Sequence, residues 1–510
     1  MKITTMKKKI LFSIMLLCAG MFTSCSMDKE PYGALNEKTA IQSMQDIGRL
    51  RLGIYTALRG LTSGGWIYYQ DLQMDEFHGL ISNGNRNGQV SAGQILASNR
   101  DIEGFFASSY SEIGNANYIM QKVEDVSKIE GLTEADKVTL KKYDSEAHFL
   151  RAYCYFFLAE HFCQPYAENS KALGLPIVTK FNPTGDVASY PARSSMDETY
   201  KLIDEDLKIA YDGLKAYEQV NADQVKPMAV ELSSYAVAAL QARVALYKGD
   251  YPTALAKSKE IISSGKYKLT KPENVKSLWT EDNSTEIIFR PFRSKDELGS
   301  STAVPYISGD NKSSADYIPT YEVLTRYGEG DVRFDAYFDQ WKLDIEGAKY
   351  DAFVLNKYPG NKNLWTTTKN NYVNMSKPFR LGEIFLIAAE AAAKTGNEAE
   401  ANHYLNSIRY SRIKNYDLTS SVGETLLNYI YEERAKELFG EGFRFYDLKR
   451  LHRGFKRYAS HEENSKLDGV VVNNTKSVTY AIDDYRYTWP IPKAELDANP
   501  QLRSQQNPGY

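Results

Sequence analysis

The sequence predicts a mainly α-helical protein: a scaffold of tetratricopeptide-like helical pairs carrying a loop-rich, mixed lobe that would bind a ligand. Three observations predict this. Several stretches keep apolar residues at helical spacing. Two predicted helical pairs share a glycine turn followed, five positions on, by an alanine. Between these pairs, the stretch 270–376 loses the helical pattern and fills with Gly, Asn, Asp, Ser, Tyr and Trp. A chain of 510 residues is longer than one core usually serves. Its 43% hydrophobic and 25% charged residues are those of a folded protein. With 62 basic against 65 acidic residues it lacks the charge excess that nucleic-acid binding requires.

Residues 1–24 read as a signal peptide. Lys2, Lys7, Lys8 and Lys9 precede the apolar run 10–22, which falls short of the roughly 20 residues that span a bilayer. The run ends in Phe22-Thr23-Ser24-Cys25, small residues before a cysteine, as a lipoprotein signal peptidase requires. Cys25 is therefore the expected lipid anchor, because its sulfur takes the diacylglyceryl group. Cys18 leaves with the signal. Cys154 and Cys163 stand nine residues apart in a helical stretch. That is about 13 Å along the axis, against the roughly 7 Å a disulfide tolerates, so two buried free thiols are expected.

Helices follow in order over 38–61, 101–127, 133–162 and 196–217. Ile41, Met44, Ile47, Leu50, Ile54 and Leu58 give the first its apolar face. Asp101 is placed to cap the second, and a break is expected near the start of the third. Helix 238–248 leads into Gly249-Asp250-Tyr251 and then Ala254; helix 383–395 leads into Gly396-Asn397-Glu398 and then Ala401. Glycine supplies the left-handed C-cap and alanine lets paired helices approach, the pattern of a repeat interrupted by insertions. The divisions expected are 1–24, 25–270, the insertion 271–376, and 377–510.

There is no Gly-x-Ser-x-Gly elbow, Walker loop, dinucleotide fingerprint or His-Glu-x-x-His. The six histidines are scattered. No catalytic residue, metal site or cofactor is assigned. The acidic pairs Asp71/Asp75 and Asp483/Asp484 keep a surface glycoside hydrolase as one alternative, and the helical pairs keep a structural adaptor as the other. A ligand surface needs exposed rings beside planar amides and charges. Two regions qualify. The loop 77–89 offers His78, Asn83, Asn85, Arg86 and Asn87. The insertion offers Trp279, Tyr306, Tyr317, Trp341 and Trp365 as stacking rings.

The C-terminal third carries motifs in a recognisable order. Arg380-Leu381-Gly382-Glu383 opens a helix reaching Ala389-Glu390-Ala391, and Leu405-Asn406-Ser407-Ile408-Arg409 follows. Glu433-Arg434-Ala435-Lys436-Glu437-Leu438 runs into Gly442-Phe443-Arg444-Phe445-Tyr446-Asp447-Leu448. The tail holds Trp489-Pro490-Ile491-Pro492 and ends in Asn507-Pro508-Gly509-Tyr510, and upstream lies Leu150-Arg151-Ala152. Together these resemble the SusD/RagB family, from the lipid signal to the last residue. The resemblance implies an α/α superhelix of four degenerate tetratricopeptide pairs and a variable ligand lobe. It implies a surface lipoprotein of the outer membrane that captures oligosaccharide, or in some members peptide. The partner implied is a SusC-like TonB-dependent β-barrel transporter, with no cofactor and no chemistry. The acidic stretch after Cys25 resembles the surface-export signal of Bacteroidota lipoproteins. Arg434, Glu437, Arg444 and Asp447 are expected to pair structurally, and Trp489 to sit in the core.

The anchor reading predicts that Cys25→Ala releases the protein from the membrane; surface labelling of cells that still carry the variant in their membranes would refute it.

Overall fold

The computed structural model describes residues 40–166, 169–308, 312–459, 465–472 and 477–510. The signal segment and Cys25 lie outside them. The longer helices are α1 (Met44–Leu50), α2 (Leu52–Leu61), α3 (Gly65–Gln73), α4 (Arg100–Ser127), α5 (Glu134–Phe162), α6 (Met196–Val220), α7 (Ser234–Lys248), α8 (Tyr251–Ser263), α9 (Leu381–Lys394), α10 (Glu398–Tyr410), α11 (Gly423–Glu437) and α12 (Arg444–Arg450). The predicted helix 38–61 is divided at Arg51, which ends α1 and opens α2. The cap of α4 is Asn99, whose side chain accepts from the Asp101 and Ile102 amides; Asp101 lies inside the first turn, where its charge suits the helix dipole. No break interrupts α5. Thr133 and Asp136 form a capping box that starts the helix cleanly, and an equivalent box of Ser195 and Glu198 starts α6.

Helices α4 to α11 pack consecutively, each against its neighbour in sequence. The glycine turns work as their positions require. Gly249 (φ 77°) and Gly396 (φ 81°) take the left-handed conformation that other residues adopt at a cost. Ala254 and Ala401 are fully buried on the returning helices. Although far apart in sequence, the two pairs are neighbours in space, because α8 packs on α9. The insertion is thus looped out between adjoining repeats. Cys154 and Cys163 are buried free thiols.

The strands are short and all pair antiparallel. They are β1 (Phe77–Gly79) with β5 (Tyr317–Pro319), β2 (Leu173–Pro176) with β3 (Arg193–Ser195), β4 (Ile287–Phe289) with β8 (Phe379–Arg380), β6 (Phe338–Ile345) with β7 (Ala348–Leu355), and β9 (Phe455–Arg457) with β10 (Val478–Tyr480). The β6–β7 hairpin closes on Glu346 and Gly347, both at positive φ, as a two-residue turn matched to strand twist demands. Within 317–327 the chain forms β5 and then a single turn, Tyr321–Leu324, because pairing with β1 outweighs local helix formation. These segments enclose a second hydrophobic core, containing Trp279, Tyr306, Tyr317, Tyr337, Trp341 and Val354, distinct from that of the helices.

A buried ionic hub joins the two cores. Glu437, at the end of α11, accepts from Arg380 Nη1 at 2.5 Å, Arg412 Nη2 at 2.9 Å and Arg333 Nη1 at 3.1 Å. Glu286, just before β4, receives Arg412 Nη2 at 2.8 Å and Arg380 Nη1 at 3.1 Å. Gly382 is required beside them: a Cβ there would stand 2.8 Å from Glu286 Oε1 and 2.9 Å from Glu437 Oε1. Burial alone would raise the Glu437 carboxyl, but the three guanidiniums hold it well below its usual 4.5. Its contribution to stability is therefore complete above about 4.5 and is lost as pH falls toward the depressed folded value. Glu437→Gln is expected to cost about 3–5 kcal/mol near neutrality, since it strands buried arginines. The difference from wild type, read from urea denaturation midpoints, should shrink below pH 4.5.

Candidate functional site

Strand β1 delivers the chain into the polar loop. Pairing with β5 sets His78 opposite Ile318 and Gly79 opposite Tyr317. The chain is then pinned by Leu80 N to Asp316 O at 2.8 Å and Ile81 N to Val470 O at 2.9 Å. Beyond the turn Ile81–Asn83, Gly84, Asn85 and Asn87 all have φ near 60°. Asparagine tolerates this region better than other side chains, which accounts for the Asn-Gly-Asn-Arg-Asn-Gly run. The Asn83 carboxamide accepts the Asn85 amide at 2.7 Å, and a Cβ at Gly88 would collide with the Asn85 side-chain oxygen. From beneath, the Tyr317 hydroxyl donates to Arg86 O at 2.6 Å.

The loop thereby separates its members. His78 and Asn83 are buried and brace it, and Asn87 is partly buried at the start of the turn Gly88–Ser91. Asn85 and Arg86 are exposed. Arg86 Nη1 meets Asp316 Oδ2 at 2.8 Å. Tyr68, partly buried on α3, shares this field. Its hydroxyl is pushed up first by burial and then by the Asp101 carboxylate, with Arg86 opposing. Arg86 is thus exposed over the buried Asp316, with Asn85 exposed beside it in the chain and Tyr68 within their electrostatic reach. Asp316 is absent from the sequence-derived set, because only the β1–β5 pairing brings it to the loop.

The expected stacking rings are corrected. Trp279 (2% exposed), Tyr306 (0%), Tyr317 (0%) and Trp341 (3%) belong to the lobe's own core. Tyr306 lies against Phe77 at 4.7 Å, and Trp279 meets Tyr337 and Tyr358 edge-on. Trp341 points inward from β6 with Leu343 and Ile345, its indole N–H donating to Asp339 at 3.0 Å. Trp365 is partly buried, with Lys362 at 6.0 Å over its ring. Burial leaves the first four no open face for a sugar ring.

A cavity of about 90 Å³ lies where the helical and lobe cores meet, walled by Trp66, Phe157, Tyr247, Trp279, Tyr358 and Tyr446. Gln70 Oε1 and Trp279 Nε1 border it without a protein hydrogen-bond partner. Its volume is that of about three waters, small for a ligand pocket. Its walls come from separate segments, and no local sequence signal marks it.

The comparisons with known proteins agree with this architecture. A family model described as the SusD family matches residues 258–510, and one described as starch-binding associating with outer membrane matches residues 27–246. The chain belongs to the SusD/RagB family. A SusD-like protein, P2, from Formosa agariphila is 24% identical, with 99% of this chain and 100% of the relative covered. The crystal structure of a SusD superfamily protein from Bacteroides thetaiotaomicron superposes with a TM-score of 0.75 at 26% identity, covering 91% of this chain and 100% of that one. A Bacteroides vulgatus protein described as sugar-binding gives 0.73 at 29% identity, covering 92% and 100%.

The SusD/RagB signature residues hold the scaffold together. Arg434 Nε binds both Asp447 oxygens at 2.9 and 2.8 Å, and Arg444 clamps Asp75 at 2.8 and 2.6 Å. Arg380 and Glu437 form the hub already described, and Trp489 is buried with its indole N–H on Gln73 at 2.9 Å. The acidic pairs considered for hydrolysis are engaged elsewhere. Asp71 is buried, accepting the Gly442 amide at 2.9 Å; Asp483 meets His452 at 2.8 Å and Asp484 meets Arg486 at 2.7 Å. Among the described residues no group of three or more His, Cys, Asp or Glu side chains is placed to hold a metal ion, and no helix is long and apolar enough to cross a membrane. Because Trp341 is a core ring, Trp341→Ala should cost about 3–5 kcal/mol of stability; an unchanged melting temperature would return it to the surface.

Proposed function

We propose that this protein is a surface lipoprotein that captures oligosaccharide and hands it to a SusC-like TonB-dependent β-barrel in the outer membrane. The observation that carries the proposal is family membership along the whole chain, one matching model being described as starch-binding and associating with outer membrane. The geometry supports it locally. Asn85 and Arg86 are presented on a loop whose backbone is already ordered by Asn83, Tyr317 and β1, so ligand binding would lose little loop entropy. Arg86, held by the buried Asp316, and Asn85 offer donors and acceptors to sugar hydroxyls, and Tyr68 is partly exposed. Cys25 would carry the lipid anchor. The protein acts by binding and transfer rather than by catalysis.

Calorimetry of the mature protein against oligosaccharides and peptide digests, with product analysis of each hit, tests this reading. Saturable oligosaccharide binding without new products is expected. Arg86→Ala should weaken it roughly tenfold, the loss of one charge-assisted hydrogen bond, without lowering the melting temperature. Binding of peptides alone would replace the glycan assignment, and turnover would overturn the binding-only assignment.

A further inference from the structure

A separate concavity of about 390 Å³ opens between the end of α11, α12 and the segment carrying Arg326. This lies within the roughly 300–1,000 Å³ range of small-molecule sites. Five cationic side chains line it: Arg326, Arg434, Lys436, Arg444 and Arg453. Glu432 and Asp447 are the carboxylates on its wall, and Asp75 and Glu76 sit behind it. These acids do not serve the cations equally. Arg326 pairs with Glu76 at 2.6 Å, Arg444 with Asp75 at 2.6 Å and Arg434 with Asp447 at 2.8 Å.

Lys436 and Arg453 have no carboxylate within ion-pair distance among the described residues. Lys436 acts on Glu433 only through space. Arg453 donates to the neutral Asn428 amide at 2.6 Å and lies 4.8 Å over the Tyr431 ring. A second, independent observation comes from the wall itself. Arg434 is 1% exposed, and its Nη1 has no hydrogen-bond partner. That nitrogen is shielded from the open space, so Arg434 adds buried positive charge to the wall rather than a ligand donor. Tyr431, Leu448 and Leu451 supply an apolar side to the same concavity.

We infer that this concavity is an oxyanion site, taking a carboxylate, sulfate or phosphate group with Lys436 and Arg453 as its principal contacts. The anion would come either as a free inorganic ion or as the acidic substituent of a sugar, whose ring would lie against Tyr431 and the two leucines. This site lies apart from the Asn85–Arg86 surface and does not rest on the glycan reading, so either can fail alone.

The test is calorimetry of the mature protein with sodium sulfate, sodium phosphate, sodium glucuronate and neutral glucose, with ionic strength held constant by sodium chloride. Saturable binding of at least one oxyanion, with none of glucose, is expected. The double variant Lys436→Gln/Arg453→Gln should weaken it roughly tenfold or more, while Lys342→Gln, on the exposed face of the β6–β7 hairpin, leaves it unchanged. Tighter glucuronate than sulfate or phosphate would identify an acidic sugar, and the reverse order a free inorganic ion; both support the site. No saturable oxyanion binding, or equal affinity in the folded double variant, would overturn it.

Discussion

The Glu437 carboxylate is the point on which the architecture converges. Its oxygens accept from Arg380, Arg412 and Arg333, and its backbone carbonyl accepts from Arg380 Nη2, Tyr337 and Lys357. These partners come from β8, the end of the α10 segment, and the lobe. One side chain therefore fixes the last repeat against the inserted residues. Such a cluster is worth little as isolated ion pairs, because desolvation offsets the attraction. Its value here is geometric: charges that are costly to leave unpaired hold the two cores in one relative position. Gly382 shows how closely the chain is shaped around it, since the space a Cβ would need is already occupied by the two glutamates.

That fixed relation has a consequence at the surface. The loop 81–88 hangs between elements of both parts, held by β5 and Asp316 on one side and by Val470 and Val472 on the other. Asn85 and Arg86 are exposed on it, and Arg86 reaches the buried Asp316. The left-handed backbone at Gly84, Asn85 and Asn87 turns the loop's peptide groups into internal bonding. A surface of this kind is ordered before anything binds, which favours affinity without demanding a large hydrophobic face.

Much of the helical scaffold was legible because its physics is local. Apolar spacing marks α4 to α6, and Gly249 and Gly396 mark turns that only a left-handed residue makes easily. The adjacency of the two glycine-turn pairs follows from their shared pattern even across the insertion. The errors are local too. Asn99 precedes Asp101 and takes the cap; Thr133 and Asp136 seal α5 at its first turn. The candidate site was less legible because exposure depends on the whole fold. Asn85 and Arg86 could be singled out from loop chemistry, whereas Asp316 needed the β1–β5 pairing. For the rings, the information was present but read for the wrong property. Trp341-Lys342-Leu343-Asp344-Ile345 alternates with the period of a half-buried strand, and Val275, Leu278 and Trp279 lie at helical spacing. Glycine and asparagine around them suggested open loops, yet a lobe of short strands has few residues with which to build a core. Large aromatic rings are the efficient way to fill it.

The same reasoning separates the two concave features beyond the loop. The cavity at the seam is walled by packed rings together with polar and charged side chains such as Gln70, Arg243 and Glu441, and its size suits water. The concavity beside α12 differs in kind. The scaffold neutralises Arg326, Arg434 and Arg444 with nearby carboxylates but supplies none to Lys436 and Arg453. Carboxylates match the cations at Glu437, Glu286 and Asp75, and backbone carbonyls serve the buried Arg193 and Arg457. Lys436 and Arg453 differ in lining an open concavity with neither a carboxylate nor a ring of carbonyls to serve them. An anion would serve them in the way the internal carboxylates complete the hub.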